Sequence, residues 1–145
     1  MTTQPATEPA TADDADAAKN VIRTLLDSVD AGDFDTALAT IDPACHVRVP
    51  QALPWGGVTE GLEDFLALLV LMADKFKVDI LSYELWGSGD TPIARIQNNW
   101  TAKHTGRTTH MQVVEIYKVR DGKIVDIDVY YQDPDILQAM AAEEA

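Results

Sequence analysis

A change in hydrophobic period near residue 77 limits the fold more than any other feature of the chain. Up to that point apolar residues recur every three or four positions, as in amphipathic helices; beyond it apolar and polar residues alternate, as in half-buried strands. Four strands are predicted in succession, joined by short glycine-containing turns: Lys77–Trp86, Pro92–Lys103, Thr108–Val119 and Lys123–Tyr131. Such strands form an antiparallel meander. The sequence therefore predicts an α+β fold, with helices against one face of a curved sheet.

The part of the chain before this meander carries the predicted helices. An apolar stripe predicts a helix over residues 13–31, and Gly32 is expected to end it. Asp33 is placed to cap a second, short helix that reaches Ile41, where Asp42-Pro43 is expected to stop it.

Between the second helix and the meander the sequence predicts a strand, a loop and a third helix. The strand covers Cys45–Pro50, and the loop, rich in proline and glycine, covers residues 51–58. The third helix is predicted to begin near Thr59 or Gly61 and to include Phe76.

The two ends of the chain differ from its middle. Residues 1–12 are Ala, Thr, Pro and acid, and we expect them to form a flexible acidic tail because they bury too little apolar surface to offset the entropy of ordering. Residues 13–142 are expected to form a single domain, closed by a short helix after Pro134.

Composition excludes several classes of function. The 145 residues carry a formal net charge of −13, which argues against binding to nucleic acid or to anionic membranes, since both need Lys and Arg. No basic segment precedes an apolar one at the start, and the longest apolar run, 66–73, is too short to span a bilayer. A cytoplasmic protein is expected. The single cysteine, Cys45, excludes an internal disulfide framework.

Three local sequences, taken in order, carry a resemblance to a known family. They are Ala31-Gly32-Asp33-Phe34-Asp35, then Pro54-Trp55-Gly56-Gly57 with Glu60-Gly61, then Arg120-Asp121-Gly122-Lys123-Ile124-Val125. With the order of predicted elements, they resemble the NTF2-like superfamily in its SnoaL-like and ketosteroid-isomerase-like branch, over about residues 15–140. The resemblance implies a cone-shaped fold, in which a bent antiparallel sheet wraps around helices and encloses an apolar pocket. It also implies a homodimer.

The same resemblance also implies which residues of this chain occupy the catalytic positions of the family. The family's steroid isomerases use a tyrosine, a base and a neutral acid, and gap-free counting puts these at Leu25, Val49 and Glu115. Of these three positions, only the acid position has a residue of the required chemical type. The catalytic arrangement of the steroid isomerases is therefore not expected here. The related polyketide cyclases have a histidine at the position of Glu115 and a catalytic aspartate at the position of Val129. Asp128, one residue earlier, is a catalytic candidate only if a β-bulge turns it into the pocket.

Glu115 is also a candidate functional residue when the strand pattern is considered apart from the family resemblance. One face of its predicted strand is apolar except for this acid: Met111, Val113, Glu115 and Tyr117. A carboxylate there is costly unless it is paired or protonated, and burial raises its pKa, which suits it for general acid or base catalysis. The open alternative is a partly wet face, or an ion pair of Glu115 with Arg48 or Arg95.

Other residues are expected to bind the substrate. Asn98 and Trp100 share a strand face, and the amide could fix a substrate oxygen; equally, this face could be the outer, dimer-facing one. Trp55 is expected to cover the pocket from its loop, or else to plug the core. Met111, Val113 and Tyr117, with Val49 and Val129 at the positions carried from the family, complete the expected lining.

No cofactor or metal is expected. The three histidines, His46, His104 and His110, have no helical i, i+4 spacing, and no glycine-rich phosphate loop is present.

Three functions remain open at this point. The first is a SnoaL-like enzyme without a cofactor, an isomerase, cyclase, dehydratase or hydrolase acting on an apolar polyketide-, terpenoid- or steroid-like molecule. The second is a non-catalytic protein of the same fold that binds a hydrophobic ligand; a structural dimerisation module is a third, for which no partner motif is visible. A second titratable group in hydrogen-bond reach of Glu115 would favour the enzyme. The candidates for that partner are Asp128, His46 and His110.

Overall fold

A computed structural model describes residues 12–87 and 89–144, with side chains from residue 16 onward. The elements in chain order are α1 (Ala12–Ala31), α2 (Phe34–Ala39), β1 (Ile41–Val49), β2 (Gly57–Glu60), α3 (Leu62–Lys75), β3 (Phe76–Trp86), β4 (Ile93–Ala102), β5 (Thr108–Arg120), β6 (Lys123–Tyr131) and α4 (Pro134–Ala142). The tail predicted over residues 1–12 lies outside the described residues, apart from Ala12, the first residue of α1.

The boundary between α1 and α2 is confirmed where the sequence predicts it. Gly32 has φ 75°, a left-handed conformation that glycine adopts without a Cβ clash. The backbone N–H groups of Gly32 and Asp33 donate to the last carbonyls of α1. The Asp33 carboxylate accepts from the backbone N–H of Thr36 at 3.2 Å and so caps α2.

The end of α2 differs from the prediction. The helix ends at Ala39, and Ile41 and Pro43 belong to β1 rather than to a helix and its stop. Ile41 pairs with Ile124 of β6, and the register of this pairing shifts before His46. Pro43 lies in the irregular stretch between these pairs, where its missing N–H removes no ladder hydrogen bond.

Two further boundaries were misassigned from the sequence. β2 lies where the loop and the start of the third helix were predicted, and it pairs antiparallel with β1. Val58 is the single large apolar residue of this strand and is exposed, so no hydrophobic alternation marks it in the sequence. Phe76, placed on the third helix, is instead the extended, buried first residue of β3.

The six strands form one bent, unclosed sheet in the order β2-β1-β6-β5-β4-β3. The predicted meander is confirmed, because β3 to β6 pair antiparallel in sequence order. β1 joins this meander by parallel pairing with β6 and antiparallel pairing with β2. The predicted α+β architecture is therefore observed, with a single parallel pair in the described sheet.

Helices α1 and α3 cover one face of this sheet. Ile22, Leu25 and Leu26 of α1 and Phe65 and Leu68 of α3 are buried among the inward residues of the strands. Each such side chain contributes about 1.5–3 kcal/mol by leaving water. In the described part of the chain, no helix is long and apolar enough to cross a membrane.

Candidate active site

A cavity of about 120 Å³ lies between the helices and the inner face of the sheet. α1 contributes Leu25, Leu26 and Val29, α2 contributes Ala37 and Leu38, and α3 contributes Phe65, Leu68, Leu69 and Met72. Trp55, from the loop between β1 and β2, and residues of every described strand except β2 complete the lining. Nearly all of this lining is aliphatic or aromatic. Polar atoms reach it from five side chains: Trp55, Asn98, Trp100, Glu115 and Tyr131.

Glu115 lines this cavity from the centre of β5. Its neighbours across the ladders are Ala94 on β4 and Val129 on β6, neither of which offers a charge. Arg48 pairs with Asp126 and Asp128. The open alternative of an ion pair with Arg48 is therefore not what the structure has.

Arg95, the other basic residue considered, is also engaged elsewhere. Its guanidinium lies 2.9 Å from the carboxylate of Glu84 on β3. Glu115 thus has no basic partner among the described residues, and its carboxyl lies in apolar surroundings.

The hydrogen-bond partner of Glu115 is Tyr117, two residues further along the same strand face. The Tyr117 hydroxyl donates to Oε1 of Glu115. Burial raises the pKa of Glu115, and the bond from Tyr117 lowers it in part. The pKa of Tyr117 is raised well above its ordinary value, by burial and then by the Glu115 charge. The Tyr117 hydroxyl therefore stays protonated and acts as the donor. The raised pKa of Glu115 favours the uncharged form of its carboxyl group.

A stack of two indoles closes one side of the cavity. The rings of Trp55 and Trp100 are parallel, with centroids 5.5 Å apart, and Phe76 meets each of them edge-on at 5.6 Å. Trp55 and Trp100 are 4% and 2% exposed. Offset or edge-on aromatic pairs each contribute about 0.5–1.5 kcal/mol beyond the area they bury. Trp55 thus lines the cavity and is also part of the core.

Each indole donates a hydrogen bond to a polar side chain of the lining. Nε1 of Trp100 donates to Oδ1 of Asn98 at 2.9 Å, and Nε1 of Trp55 donates to the Tyr131 hydroxyl at 3.2 Å. Burial raises the pKa of Tyr131. Sequence reasoning missed Tyr131 as a site residue, although a phenol at the end of the apolar face of β6 was a visible signal.

Asp128 is placed away from the cavity. It pairs with Ile116 in the ladder, and its carboxylate accepts from Nε of Arg48, while its neighbours Ile127 and Val129 line the cavity. The β5–β6 register does shift, but the shift falls before Asp126 and leaves the alternation at Asp128 intact. The bulge that a catalytic role for Asp128 required is therefore not at the right position.

The other predicted site residues divide into two groups. Those that line the cavity are Val49, Trp55, Asn98, Trp100, Val113, Glu115 and Val129. Met111 and Tyr117 are each 1% exposed and are not part of the lining, because both are packed within the core. Tyr117 reaches a polar group of the lining through its hydrogen bond to Glu115.

The histidines considered as partners of Glu115 lie at the surface. His46 and His110 are exposed, and the ring of exposed His104 contacts the backbone oxygen of Glu143 at 2.6 Å. Among the described residues, no three His, Cys, Asp or Glu side chains lie together as a metal site would require. The second titratable group beside Glu115 is therefore Tyr117, which had not been among the candidates.

The fold and cavity define a class of small α+β proteins that enclose an apolar site between a bent sheet and its helices. Residues 22–127 match the family model of the SnoaL-like domain. The chain belongs to the SnoaL-like family of NTF2-like proteins. None of the curated proteins matches its sequence.

Solved structures share the fold at low sequence identity. An NTF2-like protein of unknown function from Burkholderia pseudomallei is 16% identical, with a TM-score of 0.79 over 87% of this chain and 98% of that one. A protein from Xanthomonas campestris, proposed to be a polyketide cyclase, is 19% identical, with a TM-score of 0.79 over 89% and 99%. A further proposed polyketide cyclase, from a Silicibacter species, is 20% identical, with a TM-score of 0.76 over 86% and 95%.

Proposed function

We propose that this chain is an enzyme that transfers protons on a small apolar molecule, without a cofactor, and that Glu115 is its acid-base residue. The observation that carries the proposal is the position of Glu115: it is the single carboxyl group among the described residues that line the cavity. Its raised pKa brings it nearer to neutral pH, where a group can both take and return a proton.

The reaction class follows from what one such carboxyl can do. In its ionised form Glu115 takes a proton from a carbon next to a carbonyl, so that the C–H electron pair enters the enolate and Glu115 becomes neutral. It then returns the proton to another carbon or to the enolate oxygen. The Tyr117 hydroxyl is bonded to Oε1, so it holds the carboxyl in one orientation through both steps.

The cavity supports a substrate of modest size. An engineered cavity of about 150 Å³ in another protein admits benzene, so about 120 Å³ corresponds to a single six-membered ring. A monocyclic terpenoid- or polyketide-type ring suits this volume, whereas a steroid would require the cavity to widen. The apolar lining supports a ring with few polar groups.

Deuterium exchange tests the proposal without knowledge of the natural substrate. Cyclohexanone and 3-methylcyclohex-2-enone are incubated with the protein in D₂O, and exchange at carbon is followed by NMR. We expect exchange above the buffer rate, reduced by about 10²–10⁴-fold in Glu115→Gln. Glu84→Gln is the matched control, because Glu84 is exposed and pairs with Arg95 outside the cavity.

Two outcomes would overturn the proposal. One is exchange at the same rate in Glu115→Gln as in the unaltered chain. The other is binding of these ketones with no exchange above buffer, which would identify a hydrophobic-ligand-binding protein instead.

A further inference from the structure

The two stacked indoles donate to oxygen atoms of two lining side chains, Asn98 and Tyr131. The polar hydrogens of these side chains are then the groups left to bind a ligand. An indole N–H can only donate, so the Asn98 atom that it contacts must be the carbonyl oxygen. This bond fixes the amide orientation and leaves the NH₂ group as the free end of Asn98. No hydrogen bond joins that NH₂ group to another described residue, although Asn98 is only 5% exposed and lines the cavity.

Tyr131 is oriented by the same logic. A phenol can accept and donate, and its accepting role is taken by the indole N–H of Trp55. Its own O–H donates to no other described residue. A hydroxyl that lines an apolar cavity with its O–H free can donate to a ligand atom there, and that bond adds to affinity.

The position of Tyr131 relative to Glu115 adds a geometric constraint. Val113 pairs with Tyr131 and Glu115 pairs with Val129, so Glu115 and Tyr131 are diagonal neighbours on adjacent strands. Diagonal Cα atoms lie about 7–8 Å apart, within reach of long side chains. An oxygen held by Tyr131 would therefore bring the carbons beside it close to the Glu115 carboxyl.

We infer that Asn98 and Tyr131, oriented by Trp100 and Trp55, bind acceptor oxygens of the ligand, so that the cavity selects a ring bearing a carbonyl over a hydrocarbon ring of the same size. This inference rests on the proposed function for its view of the cavity as a ligand site. Trp55 and Trp100 are positioning residues, because their N–H groups act on the ligand through Tyr131 and Asn98.

A matched pair of ligands tests the inference by binding alone. Cyclohexanone and methylenecyclohexane differ only in C=O against C=CH₂, and their affinities for the full chain are measured from the indole N–H signals of Trp55 and Trp100 by NMR. We expect cyclohexanone to bind more tightly by about two- to tenfold, the range of one net hydrogen bond. Equal affinities would overturn the inference.

Two substitutions then test the residues. Asn98→Asp keeps an oxygen for the Trp100 indole but removes the NH₂ donor, and Tyr131→Phe removes the hydroxyl. We expect each to reduce the preference for the ketone, and an unchanged preference in either variant overturns the assignment of that residue. Gln97→Leu is the control: Gln97 bonds to Gln112, outside the cavity lining, and its loss should leave the preference unchanged.

The binding and exchange experiments fail separately. A ketone preference that depends on Asn98 and Tyr131, with no exchange at carbon, would contradict the proposed enzyme but support this inference. Exchange that depends on Glu115, with no ketone preference, would support the proposed enzyme and contradict this inference.

Discussion

The hydroxyl of Tyr117 donates to the carboxyl of Glu115, two residues before it on one face of the same strand. This face otherwise carries apolar side chains and looks onto the cavity at Glu115. The pair is therefore an acid and its donor set in a largely apolar wall. Burial raises the pKa of Glu115 and the Tyr117 bond opposes that rise, so the chemistry of the acid is adjustable through its neighbour.

Tyr117→Phe is expected to raise the pKa of Glu115 further. The hydroxyl is the described donor that stabilises the ionised carboxylate, and its removal leaves burial unopposed. Carbon-13 NMR titration of the Glu115 carboxyl in both proteins measures the change. A pKa that stays the same or falls would show that the Tyr117 bond does not favour the ionised form.

The free energy of unfolding is expected to depend on pH through the protonation of Glu115. Its folded pKa lies above the unfolded value, so the folded state binds the proton more strongly. The stabilisation is complete at low pH and is lost as pH rises through the folded pKa, at about 1.4 kcal/mol per unit of pKa difference. Glu115→Gln should therefore gain stability relative to the unaltered chain as pH rises from about 4.5.

Urea unfolding between pH 4 and pH 8 measures this difference. Glu84→Gln, which removes an exposed acid of β3 outside the cavity, is the control for loss of a surface carboxylate. A Glu115→Gln difference that is flat across this range would contradict a raised pKa.

Trp55→Ala is expected to lower the free energy of unfolding by about 3–5 kcal/mol, the usual loss for a large buried aromatic. It removes a ring that is stacked on Trp100 and meets Phe76 edge-on. Trp86→Ala is the matched control, because Trp86 is 42% exposed and contacts Arg95 by its ring face. Its loss should cost about 1 kcal/mol or less. Equal costs in urea unfolding would mean that the stack is not a core element.

Asp128→Asn is expected to leave deuterium exchange unchanged. Asp128 pairs with Arg48 away from the cavity, and the side chains of this pair are 32% and 41% exposed. The stability cost should stay below about 1 kcal/mol, because half-exposed ion pairs contribute little. A large fall in exchange in a variant with normal stability would place Asp128 in the reaction after all.

Cys45 is expected to resist alkylation in the folded protein. Its thiol is buried, and burial with nearby acids raises the pKa of Cys45 to about 12. Since the thiolate is the reactive form, iodoacetamide at pH 8 should modify Cys45 only after denaturation. Mass spectrometry of native and urea-treated samples checks this, and rapid labelling of the native protein would contradict it.

The sequence predicted the meander and the α1–α2 boundary because their signals are local. Alternation marks β3 to β6, and Asp33 caps α2 from three residues away. Pro43 was misread for the opposite reason. An Asp-Pro pair after a short helix looks like a stop, and only the distant partner β6 makes its surroundings a strand.

The candidate site was also predictable from the sequence only where the signal was local. Alternation was enough to put Val113 and Glu115 on one strand face. Alternation likewise put Tyr117 on the face of Glu115 and Tyr131 on the apolar face of β6. The bond between Tyr131 and Trp55 could not be read in this way, because it joins β6 to a separate loop.

The parallel pairing of β1 with β6 has a consequence for how the chain is made. β1 lies between β2 and β6 in the described sheet, so its inner edge stays open until the last strand has left the ribosome. Pairings so distant in sequence form late and slowly. The strand that completes the pairing of β1 and supplies one wall of the cavity is therefore among the last parts of the described chain to be synthesised.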